Sequence, residues 1–176
     1  SPEAPVPILS MRNTFTRYGM ATNVATNINT LGQETSLITN SSKIIKTRYI
    51  DQKSKQQILR VDENDECQPL VESDLLPLEN ESYTATVISD YNKGFLSHSE
   101  ITSLIGRLPK PIFVDTKKKD LSPFKGCIIK INELESKLVY NKPDDSELII
   151  TLGSRGAKFK GEILPANSCE VTDVCG

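Results

Sequence analysis

Asn132-Glu133-Leu134-Glu135 sets an amide and a carboxylate three residues apart, and such oxygen atoms are what a hard divalent cation binds. The same spacing also makes a helix start, with Asn132 as the cap and Glu135 as its capping-box partner. Downstream, Thr151-Leu152-Gly153-Ser154-Arg155-Gly156-Ala157 follows an apolar run. Its two glycines, spaced by polar residues, would let backbone approach a nucleotide with no Cβ in the way. A plain hairpin turn into Lys158-Phe159-Lys160 is the other reading. The last residues, Val171-Thr172-Asp173-Val174-Cys175-Gly176, read as the run-up to a phosphate-binding turn.

These segments need strands to hold them. The stretches 84–88, 111–114, 127–131 and 147–151 are continuous apolar runs, each ending in polar residues or glycine, as buried parallel strands do. Between the first two, residues 97–105 combine a Ser cap with apolar residues at helical spacing. A strand, helix, strand order follows, and a doubly wound α/β sheet accommodates it. In such sheets ligands sit beyond the carboxyl ends of the strands, where Asp90, Asp115, Asn132 and Gly153 fall. Residues 5–11 form a short apolar run after a proline-rich start, and 46–50 with 57–62 read as a hairpin of partly covered strands. Strands of that kind suit a small lid, expected within 5–18 and 46–62, over an α/β core of 19–40 and 80–176.

Composition narrows the function classes. The 176 residues suffice for one domain with a substantial core. A net charge of -2 gives no global field for nucleic acid or an anionic membrane, so phosphate binding must be local. Cys67, Cys127, Cys169 and Cys175 form no Cys-x-x-Cys pair and His98 is the single histidine, which suggests neither a zinc site nor a disulfide framework. Reduced thiols, no apolar stretch of membrane-spanning length and no signal-like start lead to an expected cytoplasmic location. The acidic run 62–66 reads as a solvated loop, and neither EF-hand spacing nor a Gly-x-x-x-x-Gly-Lys-Ser/Thr loop is present.

Taken together, Asn132-x-x-Glu135, the 151–157 loop and Asp173-x-x-Gly176 resemble the nucleotide end of the ribokinase-like carbohydrate kinases. At the other end Arg17-Tyr18-Gly19-Met20-Ala21-Thr22-Asn23 looks like that family's Gly-Gly-x-x-Asn, with Met20 in place of the second glycine. The resemblance implies a doubly wound, mostly parallel sheet flanked by helices, a small β-strand lid, and ATP and Mg²⁺ as cofactors. It implies that Asn132 and Glu135 organise Mg²⁺, that Thr151, Gly153, Gly156 and Asp173 lie against the nucleotide, and that amides at Gly176 stabilise charge on the transferring phosphate. Gly19 and Asn23 would meet the sugar.

The similarity extends to Lys46-Thr47-Arg48, Gln56-Gln57-Ile58-Leu59-Arg60-Val61-Asp62, Ser89-Asp90-Tyr91-x-Lys93-Gly94 and Val114-Asp115-x-Lys117. These look like one branch, the D-glycero-β-D-manno-heptose 7-phosphate kinases, which phosphorylate the anomeric hydroxyl on the way to ADP-heptose for lipopolysaccharide. A phosphorylated substrate needs fixed cations, and Arg48, Arg60, Lys93 and Lys117 are the candidates, with Asp90 as a partner for sugar hydroxyls. The family further implies a homodimer through the lid and a fused or separate adenylyltransferase. It places the first strand before Ser1 and the catalytic aspartate after Gly176, so the domain is expected to be incomplete at both ends. The helices expected after Asn40 and between Tyr140 and Leu148 read as shortened or missing. Two alternatives stay open at this point: a catalytically inactive sugar-phosphate or nucleotide binder, and a kinase for another sugar.

Overall fold

The structure, a computed structural model, describes residues 4–6, 8–78 and 82–167. Asp173 and Gly176, with Cys169 and Cys175, lie outside them. The chain begins its regular structure with helix α1 (Met20–Thr30), followed by a hairpin of β1 (Ile45–Ile50) and β2 (Gln57–Glu63). A 3-10 helix (Glu72–Leu78) leads to the main sheet: β3 (Thr86–Asp90), α2 (His98–Ile105), β4 (Ile112–Thr116), a 3-10 turn (Ser122–Phe124), β5 (Ile128–Asn132), α3 (Glu133–Leu138), β6 (Leu148–Thr151), a second 3-10 turn (Gly153–Arg155), β7 (Ala157–Phe159) and β8 (Glu162–Leu164).

The six strands lie in sequence order, with β3 to β6 parallel and β7 and β8 closing one edge antiparallel. This is the expected α/β architecture, a mostly parallel sheet with flanking helices and a separate two-stranded antiparallel sheet. Each apolar run became a strand because its β-branched residues pack from alternate positions. Ile88, Ile112, Val114, Ile129 and Ile131 form one wall of the core, against Ile101 and Ile105 of α2 and against Leu121 and Phe124. Ile101, Phe124, Ile129 and Ile131 are fully buried, and each such side chain contributes roughly 1.5–3 kcal/mol by leaving water. The opposite face is more open than a continuous apolar run implies, with Val87 and Phe113 exposed.

Helix α2 starts on a capping box. Ser97 Oγ accepts the Glu100 N–H at 3.2 Å, and Glu100 accepts the Ser97 N–H at 2.5 Å. The expected hairpin formed, with Arg48 directly opposite Arg60 and Lys46 opposite Asp62, though every residue of β2 is exposed rather than partly covered. No strand occurs among the described residues of 5–18. Ile8, Met11, Phe15 and Tyr18 stand exposed there. No helix intervenes between Asn40 and β1, or between α3 and β6, in line with the reading of those helices as shortened or missing.

Candidate functional site

Parallel pairing brings four polar strand ends side by side. Asp90 is the register partner of Thr116, and Asn132 is the partner of Thr151. Thr151 Oγ1 lies 3.4 Å from the Ile131 carbonyl, which keeps the end of β6 against β5. The carboxyl edge of the sheet therefore gathers Asp90, Lys117, Asn132, Glu135, Thr151 and Gly153 from separate segments of the chain.

The helix-start reading of Asn132 and Glu135 is realised. Asn132 Oδ1 accepts the Glu135 N–H at 2.8 Å, and Glu135 Oε2 accepts the Asn132 N–H at 2.8 Å. The second carboxylate oxygen, Oε1, takes Lys117 Nζ from the end of β4. Burial pushes the Glu135 carboxyl up, but the Asn132 N–H and the Lys117 ammonium outweigh it and hold the group below its ordinary range. Burial likewise opposes the charge on Lys117, and its hydrogen bond to Glu135 wins, so the ammonium titrates above its usual value. Lys117, expected at the substrate phosphate, and Glu135, expected at the cation, thus form one cross-strand unit.

Whether this donor set suits Mg²⁺ follows from its partners. Both Glu135 oxygens and the Asn132 carbonyl are already engaged, and among the described residues no three His, Cys, Asp or Glu side chains converge as a metal cage. Mg²⁺ gives up its waters reluctantly and is commonly held through them, so Asn132 and Glu135 fit a hydrated ion bound together with a phosphate ligand. Nearby, Asp115 Oδ2 pairs with Lys130 at 3.1 Å, while its buried Oδ1 has no hydrogen-bond partner.

The two glycines of the 151–157 loop differ. Gly153 has φ +63 and open space where a Cβ would sit, as a turn facing a ligand requires. Gly156 has φ +98, and a Cβ there would lie 1.9 Å from the Leu164 carbonyl. The backbone that approaches Gly156 is the chain's own, folding back through β7 and β8. Arg155 between them is tied to Glu133 at 2.7 Å.

Asp90, expected at the sugar hydroxyls, is engaged within the protein. It is buried, Oδ1 accepts the Asn92 N–H at 2.9 Å, and Oδ2 accepts Thr116 Oγ1 at 2.9 Å with Lys118 Nζ at 3.4 Å. Lys118 Nζ also donates to Asn92 Oδ1 at 2.9 Å. The group braces the 91–94 turn, where Asn92 takes a left-handed conformation (φ +53), and so fixes the backbone that carries Lys93. The sequence reading missed Lys118, because three consecutive lysines look like solvated charge. The available signal was alternation, since Ile112, Val114, Thr116 and Lys118 fall on one face and are all buried.

The remaining expected residues are distributed as follows. Gly19 precedes α1 in extended conformation with nothing near its Cβ position, and Asn23 lies in the first turn of the helix. Met20, where relatives of this pattern have glycine, adopts φ +53, the conformation glycine tolerates best. Arg48 and Arg60 sit on the hairpin, and Arg60 pairs with Asp62 at 2.9 Å. Lys93 pairs with Asp65, which also holds Lys46 at 2.8 Å. Neither Asp65 nor Lys46 was singled out from the sequence.

The chain is 30% identical over 225 aligned positions to the Bifunctional protein HldE of Campylobacter jejuni (strain RM1221), covering 100% of this chain and 49% of that protein. The chain is a homologue of the HldE proteins. The HldE of Campylobacter fetus is 30% identical over 196 positions, 91% of this chain and 43% of the relative. That of Nitrosococcus oceani is 28% identical over 231 positions, 100% of the chain and 48% of the relative. The chain spans about half the length of these HldE proteins. The alignment with the first needs 225 positions for 176 residues, so that HldE carries segments this chain lacks. No protein-family model matches the chain, and no solved structure does. Among the described residues no helix is long and apolar enough to cross a membrane.

Proposed function

We propose that this chain corresponds to the kinase part of an HldE-type protein and transfers phosphate from ATP to the anomeric hydroxyl of a sugar phosphate, D-glycero-β-D-manno-heptose 7-phosphate. The observation that carries the reading is the Lys117–Glu135–Asn132 unit, set beside Thr151 and the open turn at Gly153, at the carboxyl edge of a parallel sheet. The likeness of the 46–48, 56–62, 89–94 and 114–117 motifs to the heptose 7-phosphate kinases adds the sugar class.

In this reading bound Mg²⁺-ATP supplies the phosphoryl group and the charge neutralisation of its transfer. Asn132 and Glu135 hold the hydrated cation. Thr151 and the Gly153 turn accept the nucleotide backbone to backbone. Lys93 and Lys117, with Arg48 and Arg60 on the hairpin, supply cations for the sugar's own phosphate, and Gly19 and Asn23 border the sugar. The hairpin acts as a lid that excludes water from the transfer. The base is an aspartate expected beyond Gly176, and Asp173 and Gly176 keep their proposed place near the phosphates. An adenylyltransferase, fused or separate, a homodimer through the lid, a role in ADP-heptose synthesis for lipopolysaccharide and a cytoplasmic location belong to the same proposal.

Release of ADP on mixing the protein with Mg²⁺-ATP and heptose 7-phosphate tests it, with ribose and fructose 6-phosphate as controls. Heptose-dependent turnover is expected. Turnover with a control sugar alone would move the assignment to another sugar. Heptose phosphate binding without turnover would favour a second reading, an inactive binder, which the full engagement of both Glu135 oxygens supports.

A further inference from the structure

Asp65 lies in the acidic run 62–66, which has no part in the proposed chemistry, yet it stands where the hairpin meets the sheet. Its Oδ1 accepts Lys46 Nζ at 2.8 Å, and its Oδ2 accepts Lys93 Nζ. Lys46 also reaches Asp62 at 2.9 Å, and Asp62 takes Arg60 at 2.9 Å, so Lys46, Arg60 and Lys93 share Asp62 and Asp65 between them. Arg48 faces Arg60 across the ladder and makes no ion pair among the described residues. Like charges directly opposite in a strand pair repel.

The chain segment that carries Asp65 is seated by other means. The Cys67 N–H donates to the Lys93 carbonyl at 2.7 Å and the Leu70 N–H to the Phe95 carbonyl at 2.9 Å. Gly94, at φ +98, lets the Cys67 carbonyl come within 3.2 Å of where a Cβ would be. Two backbone bonds and a glycine contact therefore dock the segment, which leaves the carboxylate of Asp65 free to act on its two lysines. A carboxylate bridging two ammonium groups from different elements uses the same donors that a phosphate would use.

We propose that Asp65 is a built-in counter-anion that competes with a phosphate ester for Lys93 and Lys46, and so sets the affinity and selectivity of this lysine pair for phosphorylated ligands. A doubly charged phosphate displaces the single charge of Asp65, whereas a free sugar has nothing to displace it with. The inference rests on the reading of this edge as a sugar-phosphate site, though not on turnover there.

Calorimetric titration with inorganic phosphate and with fructose 6-phosphate, without nucleotide, tests it on the whole chain. Asp65→Asn is expected to tighten both by roughly three- to tenfold, as the release of two part-exposed ion pairs allows. Adding Lys93→Gln should remove the gain, and binding of unphosphorylated fructose should not change. Unchanged or weaker phosphate binding in Asp65→Asn would overturn the proposal, as would absence of phosphate binding to every form. A gain that comes with faster hydrogen exchange at the Cys67 and Leu70 amides would also overturn it, because unseating of the segment would then be the cause. Failure of the kinase reading shows separately, as phosphate binding without heptose-dependent ADP release.

Discussion

The main sheet and the hairpin are both β structure, and they are held by opposite means. In the sheet, Ile129, Ile131 and Phe124 are entirely withdrawn from water, and residues of β3 to β5 interlock with α2. In the hairpin every residue of β2 is exposed, and its attachment to the sheet rests on Lys46, Asp65 and Lys93 with the backbone bonds just beyond. Apolar burial is worth far more than part-exposed ion pairs. The hairpin therefore belongs to the low-stability end of the molecule, while the strands of the main sheet stay fixed.

The contrast breaks most visibly in the core. Phe124→Ala should lower the unfolding free energy by about 3–5 kcal/mol, the usual cost of emptying a fully buried aromatic site, whereas Leu59→Ala on the hairpin should cost below about 1 kcal/mol. Urea denaturation of both variants checks this, and comparable losses would mean that the hairpin shares the core. Close behind comes Lys118→Met, which strands the buried Asp90 carboxylate and is expected to cost about 3–5 kcal/mol. In a double-mutant cycle, Asp90→Asn with Lys118→Met should lose much less than the two single losses combined. Additive losses would show that the pair is not a unit.

The same division separates what could be read from the sequence from what could not. Strands β3 to β6, the hairpin and α2 with its Ser97 cap were legible, because period, caps and apolar runs are local signals. The meeting of Lys117 with Glu135 was not, since it depends on which strands become neighbours. Lys118 was hidden in a lysine run and Asp65 in an acidic one, because charge counts carry no direction while strand alternation and tertiary contact do. At Gly156 the residue type was informative and its partner was not, for the approaching backbone lies eight residues or more further on. The lack of a strand among the described residues of 5–18 has a similar origin, since apolar residues become a strand only where an edge accepts them.

A smaller effect sharpens the site at the start of α1. Met20 sits at φ +53, where a side chain costs of order 1 kcal/mol and glycine costs none. Met20→Gly is therefore expected to gain up to about 1 kcal/mol after the added flexibility of the unfolded chain is subtracted. If thermal unfolding instead shows a loss, the Met20 side chain makes contacts that outweigh its backbone strain.

The finest test concerns the charges that hold the hairpin. Lys46 first, and Lys93 second, draw the Asp65 carboxyl down to about 2 from its ordinary 3.8. A carboxylate depressed in the folded state binds its proton more readily when unfolded, so its stabilising contribution is complete above pH 3.8 and fades as pH falls toward 2. Protection of the Leu59 and Val61 amides, taken relative to unfolded-chain exchange at the same pH, should accordingly fall across that window while the Ile129 and Ile131 amides stay protected. In Asp65→Asn the hairpin should exchange faster at neutral pH and lose most of this acid dependence. Should Ile129 open in step with Leu59, the two regions would be one cooperative unit, and the hairpin would have no freedom of its own to act as the proposed lid.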